Sequence, residues 1–173
     1  MAKFDSAEKL NLADIEITDV MTGDRDKRMF LYYQLIHSLK KAERVDIIVS
    51  FLMESGVKML LRELGNALDR GAKIRILTGN YLGITQPSAL YLIKQKLGDR
   101  VDLRFYNEKN RSFHPKSYIF HYADYSEIYI GSSNISRSAL TSGIEWNYRF
   151  RNTSDAKNYE KFFHTFEELF ENH

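Results

Sequence analysis

Three pairs of polar residues, each separated by one intervening residue, lie in the C-terminal half of the sequence: His114 and Lys116, Ser132 and Asn134, and Glu145 and Asn147. On a β-strand, residues i and i+2 point to the same face and lie about 7 Å apart. Each pair therefore presents two polar side chains on one side of a strand, provided for the second pair that the strand continues through Gly131.

These residue types suit nucleophilic attack on a phosphodiester. A neutral imidazole, here His114, can be the nucleophile. The ammonium of Lys116, the hydroxyl of Ser132 and the amide of Asn134 can hold the non-bridging oxygens and stabilise developing charge. The carboxylate of Glu145 can accept the other ring N–H and fix the tautomer of the imidazole. No metal or other cofactor is required by this set of residues.

Simpler interpretations exist for some of these residues. A single histidine such as His114 is usually an ordinary loop residue, and Gly131 with the two serines after it could be a turn at a strand end. The ordered occurrence of all the polar residues favours the active site. We expect His121 to pack or hydrogen-bond locally, because an offset of seven residues directs it away from His114.

Composition restricts the class of protein. The chain has 173 residues, 43% of them apolar, and a net charge of +2, which is typical of one globular domain spanning residues 1–173. It contains no cysteine, which excludes disulfides, thiolate zinc sites and cysteine nucleophiles. We find no signal peptide and no apolar run of ~18 residues, so a cytoplasmic protein with no membrane partner is expected.

Local charge gives more information about partners than the total does. Residues 100–116 contain five basic and two acidic side chains. Among them, Lys109 and Arg111 precede His114 closely and are candidate nucleic-acid contacts. The alternative is that the segment is a solvated, charged loop.

The hydrophobic pattern predicts an α/β fold with a mixed, mostly parallel β-sheet and helices on both faces. Early strands alternate with helices, whereas later strands follow one another without long helices. Predicted helices are 24–39, 54–69, 87–97 and 155–171, and predicted strands are 45–52, 73–77, 101–106, 116–122, 127–130 and 145–151. We interpret residues 78–81 as a plain turn, although binding loops also occur at such strand ends. Trp146 and the aromatic stripe of the last helix are expected in the core.

These motifs resemble those of the phospholipase D superfamily, in which His-x-Lys is followed by an Asp and then by a Gly-Ser-x-Asn element. The matching residues are His114-Pro115-Lys116 and Gly131-Ser132-Ser133-Asn134, with Glu145 at the position of the downstream acid. The resemblance extends over residues 24–152 and is most specific to the domains of bacterial nucleases and of the N-termini of some superfamily II helicases. It implies a phosphohistidine intermediate on His114, with phosphate bound by Lys116, Ser132 and Asn134.

The sequence departs from the family motif at one position, because His121 stands where the Asp of the motif is expected. We interpret that Asp as mainly structural, so its replacement does not remove a catalytic group. The chain could also be the N-terminal part of a longer protein. It contains no G-x-x-x-x-G-K-[ST] phosphate-binding loop, so any ATPase would lie on further sequence.

Three functions remain open at this point. The first is a metal-independent nuclease (an endonuclease-type phosphodiesterase, hence a hydrolase) acting on nucleic acid, with DNA as the expected form. The second is a nucleic-acid-binding module of a helicase or defence protein with little turnover, and the third is a lipid phosphodiesterase. Since the chain has a single His-x-Lys motif and needs a second group as acid, we predict a homodimer with the active site at its two-fold interface.

Overall fold

A seven-stranded β-sheet forms the centre of the chain in the computed structural model, which describes residues 17–24, 26, 29–108 and 110–173. The strands are β1 (Val20–Met21), β2 (Arg44–Val49), β3 (Lys73–Thr78), β4 (Val101–Phe105), β5 (Lys116–His121), β6 (Ser126–Gly131) and β7 (Asn147–Arg151). The α-helices are α1 (Leu31–Leu39), α2 (Glu54–Asp69), α3 (Pro87–Leu97), α4 (Arg137–Thr141) and α5 (Ala156–Glu171). The mixed α/β class predicted from the sequence is confirmed.

The strand order is β1-β7-β6-β5-β2-β3-β4. Only β2–β3 and β3–β4 pair in parallel, and the four other pairings of the described strands are antiparallel. The prediction of a mostly parallel sheet is therefore wrong. Parallel pairing needs a long crossover, which α2 and α3 provide, whereas β5 and β6 are joined by four residues only.

Alternation along the strands divides the core into two layers. Val45, Ile47 and Val49 of β2 point towards α1, α2 and α3. Ile48, between them, points to the opposite face and packs with Phe166 of α5. Helices therefore cover both faces, as predicted, and most of the aromatic stripe of α5 packs in the core.

Two element boundaries differ from the predictions, and the second of them affects the site. The first helix begins at Leu31 rather than at residue 24, with residues 25, 27 and 28 outside the described ones. The last strand begins at Asn147, so Glu145 and Trp146 precede it. No helix in the described ranges is long and apolar enough to cross a membrane.

Candidate active site

The registers of the strands bring three polar segments to one edge of the sheet. Val49 at the end of β2 pairs with Lys116 at the start of β5. Gly131 at the end of β6 pairs with Asn147 at the start of β7. The segments 114–116, 131–134 and 145–147 consequently lie at the edge where the parallel strands β2 and β3 end.

His114 is exposed and lies two residues before β5. Its ring contacts the ring of Tyr81, with 4.2 Å between the centroids and an angle of 42° between the planes. Partial burial, together with the nearby charge of Lys116, lowers the pKa of His114 below its ordinary value of 6.5. An accessible imidazole whose neutral form is favoured is what a nucleophile requires.

Lys116 is 7% exposed, which is low for a lysine. Its Nζ donates a hydrogen bond of 2.9 Å to the backbone carbonyl of His114. Burial lowers the pKa of Lys116, and the carboxylate of Glu145 opposes this effect. The ammonium is therefore held beside the nucleophile in an environment where its attraction to a phosphate oxygen is only weakly screened.

Ser132 and Glu145 form a direct pair. The Ser132 hydroxyl donates to the carboxylate of Glu145 and accepts from the backbone N–H of Trp146 at 3.1 Å. Because β6 ends at Gly131, Ser132 lies beyond the strand and is exposed. The strand therefore does not run on beyond Gly131, as a shared face for Ser132 and Asn134 would require.

Asn134 is 5% exposed, in contrast to Ser132, so these two residues do not share a strand face. Its Oδ1 accepts the backbone N–H of Phe51 at 3.2 Å. The next residue, Ile135, forms a bridge with Leu52 and accepts from the backbone of Met53 at 2.9 Å. These bonds attach the loop after β6 to the loop after β2 and leave the amide nitrogen of Asn134 as the group that can donate to a phosphate.

Gly131 and Asn147 have structural roles at the same edge. A Cβ on Gly131 would lie 2.2 Å from the carbonyl oxygen of Trp146, so only glycine fits. Asn147 is buried, and its Nδ2 donates to the hydroxyl of Ser133 at 2.9 Å. Glu145 and Asn147 therefore serve different parts of the structure and do not form one polar face.

The remaining candidates are placed as follows. Arg111 is exposed and lines a cavity that also includes Tyr81, whereas Lys109 lies outside the described residues. Within the described ranges, no hydrogen bond joins Glu145 to the imidazole of His114, so the proposed fixing of the tautomer is not made within a single chain. The same ranges contain no group of three His, Asp or Glu side chains that could hold a metal.

His121 lies at the far end of β5, as expected for a residue with a local role. Its Nε2 donates to Asp46 at 2.8 Å, and its Nδ1 lies 3.1 Å from the Ser126 hydroxyl. The ring also packs edge-on against Phe163 of α5. The prediction that His121 hydrogen-bonds locally, away from His114, is confirmed.

Two residues near the site were missed by the sequence analysis. Tyr81 contacts the imidazole of His114, and the Ser50 hydroxyl donates to the carbonyl of Pro115 at 3.1 Å. Both follow parallel strands, and α/β proteins tend to bind ligands at that position. That rule is the signal in the sequence that indicates Tyr81 and Ser50, and the interpretation of residues 78–81 as a plain turn is incomplete.

The chain is similar to known proteins over most of its length. The family model described as cardiolipin synthase, PLD-like domain, matches residues 35–167. The structure of NucT from Helicobacter pylori matches with a TM-score of 0.67 and 17% identity, over 88% of this chain and 94% of that one. No curated protein matches the chain.

Two further solved structures share the fold. Nuc from Salmonella typhimurium, a phospholipase D family member, matches with a TM-score of 0.61 and 18% identity, over 79% of this chain and 84% of that one. Polyphosphate kinase from Porphyromonas gingivalis gives 0.59 and 14% identity, over 88% of this chain and 22% of that one. With a family model that spans most of its residues and its His-x-Lys and Gly-Ser-x-Asn segments at one edge of the sheet, the chain belongs to the family of phospholipase D-like domains.

Proposed function

We propose that this chain is a metal-independent phosphodiesterase that cleaves nucleic acid through a phosphohistidine intermediate on His114. One observation carries the proposal: an exposed imidazole with a lowered pKa adjoins the buried ammonium of Lys116 at the edge of the sheet where the segment 131–134 also lies. These neighbours are a cation and hydrogen-bond donors, which suit phosphate oxygens.

The chemistry divides into two displacements at phosphorus. A ring nitrogen of neutral His114 attacks, a P–N bond forms, and the P–O bond to the leaving group breaks as an acid protonates the leaving oxygen. Water then attacks phosphorus, the former acid takes the proton of the water, and the P–N bond breaks. Lys116 and Asn134 stabilise charge on the non-bridging oxygens in both steps.

The acid in this scheme has to come from a second copy of the chain. His121 is engaged with Asp46, His173 lies beside Glu108, and His37 and His164 lie on α1 and α5. The histidine suited to the role is therefore His114 of a second copy, brought close by a two-fold axis. Two such imidazoles titrate as a coupled pair, and a bound phosphate favours protonation of the one that does not attack.

An exposed apolar surface next to the site supports this dimer. Ile144, Trp146, Tyr148 and Phe162 are 84%, 72%, 54% and 45% exposed. The surface is continuous with the site, because the backbone of Trp146 binds Ser132. Contiguous apolar surface of this kind marks an interface, and we propose that a second copy covers it.

Nucleic acid is favoured as the substrate by the exposed Arg111 beside the cavity next to His114. A lipid phosphodiester is the second candidate, because a groove of about 330 Å³ between the sheet and α5 reaches His114 and is lined by Ile119, Ile130 and Leu169. In the proposed dimer this groove adjoins the covered surface, so we rank the lipid second.

The test is cleavage of a supercoiled plasmid and of DNA and RNA oligonucleotides in EDTA, with phosphatidylcholine micelles as the lipid substrate. We expect nucleic-acid cleavage in EDTA, its loss in His114→Asn, and its retention in His164→Asn, which alters an exposed histidine of α5. Rapid quenching with labelled oligonucleotide should trap an acid-labile phosphoprotein. Activity that disappears in EDTA and returns with magnesium would refute the mechanism. Binding of nucleic acid without cleavage would indicate that the chain is a binding module.

A further inference from the structure

A cavity of about 360 Å³ lies beside His114, between the 3₁₀ turn Tyr81–Gly83 and the segment that follows β4. Its walls include Tyr81, Leu82, Phe105 and Arg111. The volume falls within the range of ligand sites, roughly 300–1,000 Å³. None of the catalytic steps described above uses this cavity.

The rim of the cavity exposes apolar side chains. Leu82 is 79% exposed and Phe105 is 40% exposed. Leu82 also has a φ of 51°, and it is the one non-glycine residue with positive φ in the described part of the chain. A left-handed backbone is unfavourable for leucine, and such strain tends to persist where a ligand site needs it.

Contacts with residues behind the cavity fix the positions of its walls. The Tyr81 backbone N–H donates to the Ser50 carbonyl at 3.4 Å. Phe113 packs on Gly79, where a Cβ would lie 2.7 Å from the ring, and stacks on Tyr106 at 4.3 Å. The cavity is therefore largely formed before a ligand binds, which lowers the cost of binding.

We propose that this cavity binds a nucleobase of single-stranded nucleic acid, next to the phosphate that lies at His114. Tyr81 connects the two sites, because its ring lines the cavity and contacts the imidazole. Phe105 and Leu82 offer apolar surface on which a base can stack, and Arg111 can pair with a neighbouring phosphate.

The charges and the shape select an unpaired strand. The one carboxylate of the described lining, Glu108, interacts with the Tyr106 hydroxyl and lies 3.4 Å from Nε2 of His173. In a duplex, both faces of a base are stacked on its neighbours, so only an unpaired base can insert between the two loops. The inference rests on the proposed function, since it places the base relative to the phosphate attacked by His114.

The experiment measures binding in EDTA by fluorescence anisotropy on a His114→Asn background, which prevents cleavage. The probes are an octathymidylate and an abasic oligomer with the same number of phosphates. We expect about tenfold tighter binding of the octathymidylate, which is ~1.4 kcal/mol and within the range for base–aromatic stacking.

Two variants and one control test whether the preference for the octathymidylate comes from the cavity. Phe105→Ala and Leu82→Gly should each reduce it to less than about threefold while affinity for the abasic oligomer stays the same. Tyr91→Ala, which removes an aromatic side chain that is 74% exposed on α3 and does not line the cavity, should keep it. Leu82→Gly should not lower the melting temperature, because glycine tolerates the positive φ.

Three results would overturn the inference: equal affinity for the two oligomers, a preference that survives both cavity variants, or no binding of either oligomer. Failure of the proposed function is a different observation, namely that the protein with His114 intact cleaves neither DNA nor RNA. Base preference without cleavage would support the cavity and refute the chemistry, whereas cleavage without base preference would do the opposite.

Discussion

The buried carboxylate of Asp46 leads to a prediction about stability and pH. Asp46 is fully buried on β2, accepts from Nε of Arg75 at 2.7 Å and of Arg44 at 3.2 Å, and binds Nε2 of His121 at 2.8 Å. Burial alone would raise its pKa. The hydrogen bonds from His121, Arg75 and Arg44 outweigh that effect and lower the pKa of Asp46 from 3.8 to about 2.

This difference corresponds to a free energy. At ~1.36 kcal/mol for each pH unit, ionised Asp46 contributes about 2 kcal/mol to the free energy of unfolding. Because the folded pKa is below the unfolded one, the contribution is present above the unfolded value and is lost as pH falls through the folded value. Asp46→Asn should therefore be less stable by about 2 kcal/mol or more at pH 7, with Glu167 left as a partner of Arg75.

The assay is urea unfolding followed by far-ultraviolet circular dichroism at a series of pH values. The stability difference between wild type and Asp46→Asn should narrow by about 2 kcal/mol as pH falls from about 5 towards 2. Asp69→Asn is the control: its pair with Arg100 is 69% and 51% exposed, so it should cost less than ~1 kcal/mol. A difference for Asp46→Asn that does not change below pH 5 would show that the ion pairs do not hold its pKa down.

The other predictions concern the site and the apolar surface. The acidic limb of the plot of kcat/KM against pH, which reports the free enzyme, should have its midpoint below 6.5, because partial burial and Lys116 lower the pKa of His114; a midpoint at or above 6.5 would contradict this. Glu145→Gln should bind oligonucleotides normally by anisotropy but turn over more slowly, and wild-type kcat would make Glu145 structural. Gly131→Ala should lower stability by ~1–3 kcal/mol in urea unfolding, since its Cβ would overlap the backbone; an unchanged midpoint would show that the edge can relax. Trp146→Glu should be a monomer by light scattering and inactive in the cleavage assay, and an active monomer would refute the shared site.

The sequence predicted the parallel half of the sheet better than the antiparallel half. Alternation of apolar runs with amphipathic helices identified β2, β3 and β4 correctly, because each connection contains a helix with its own periodicity. No local sequence pattern indicates which strand β5 pairs with. Its antiparallel pairing with β2 depends on contacts between residues about 70 positions apart, such as Val49 and Lys116, and short-range patterns do not contain that information.

The site shows the same limit in finer detail. The motif spacing placed the segments of His114, Asn134 and Glu145 together, and the strand registers bring these segments to one edge. Strand alternation gave the wrong local geometry, because β6 ends at Gly131 instead of continuing to Asn134 and β7 begins at Asn147 instead of at residue 145. Trp146 was expected in the core and is 72% exposed. Alternation indicates which face an apolar residue occupies, but it does not show whether that face is covered by the same chain.

The position of His121 bears on the choice between an enzyme and a binding module. His121 occupies the place of the Asp in the family motif, and a module with little turnover would be favoured if that position belonged to the catalytic site. In the structure it lies five residues along β5 from Lys116, about 17 Å at a rise of ~3.3 Å per residue. Asp46 on the neighbouring strand supplies a carboxylate there, bound to His121 itself. The substitution therefore alters an ion-pair cluster that stabilises the sheet against α5, and the groups beside His114 remain available for chemistry.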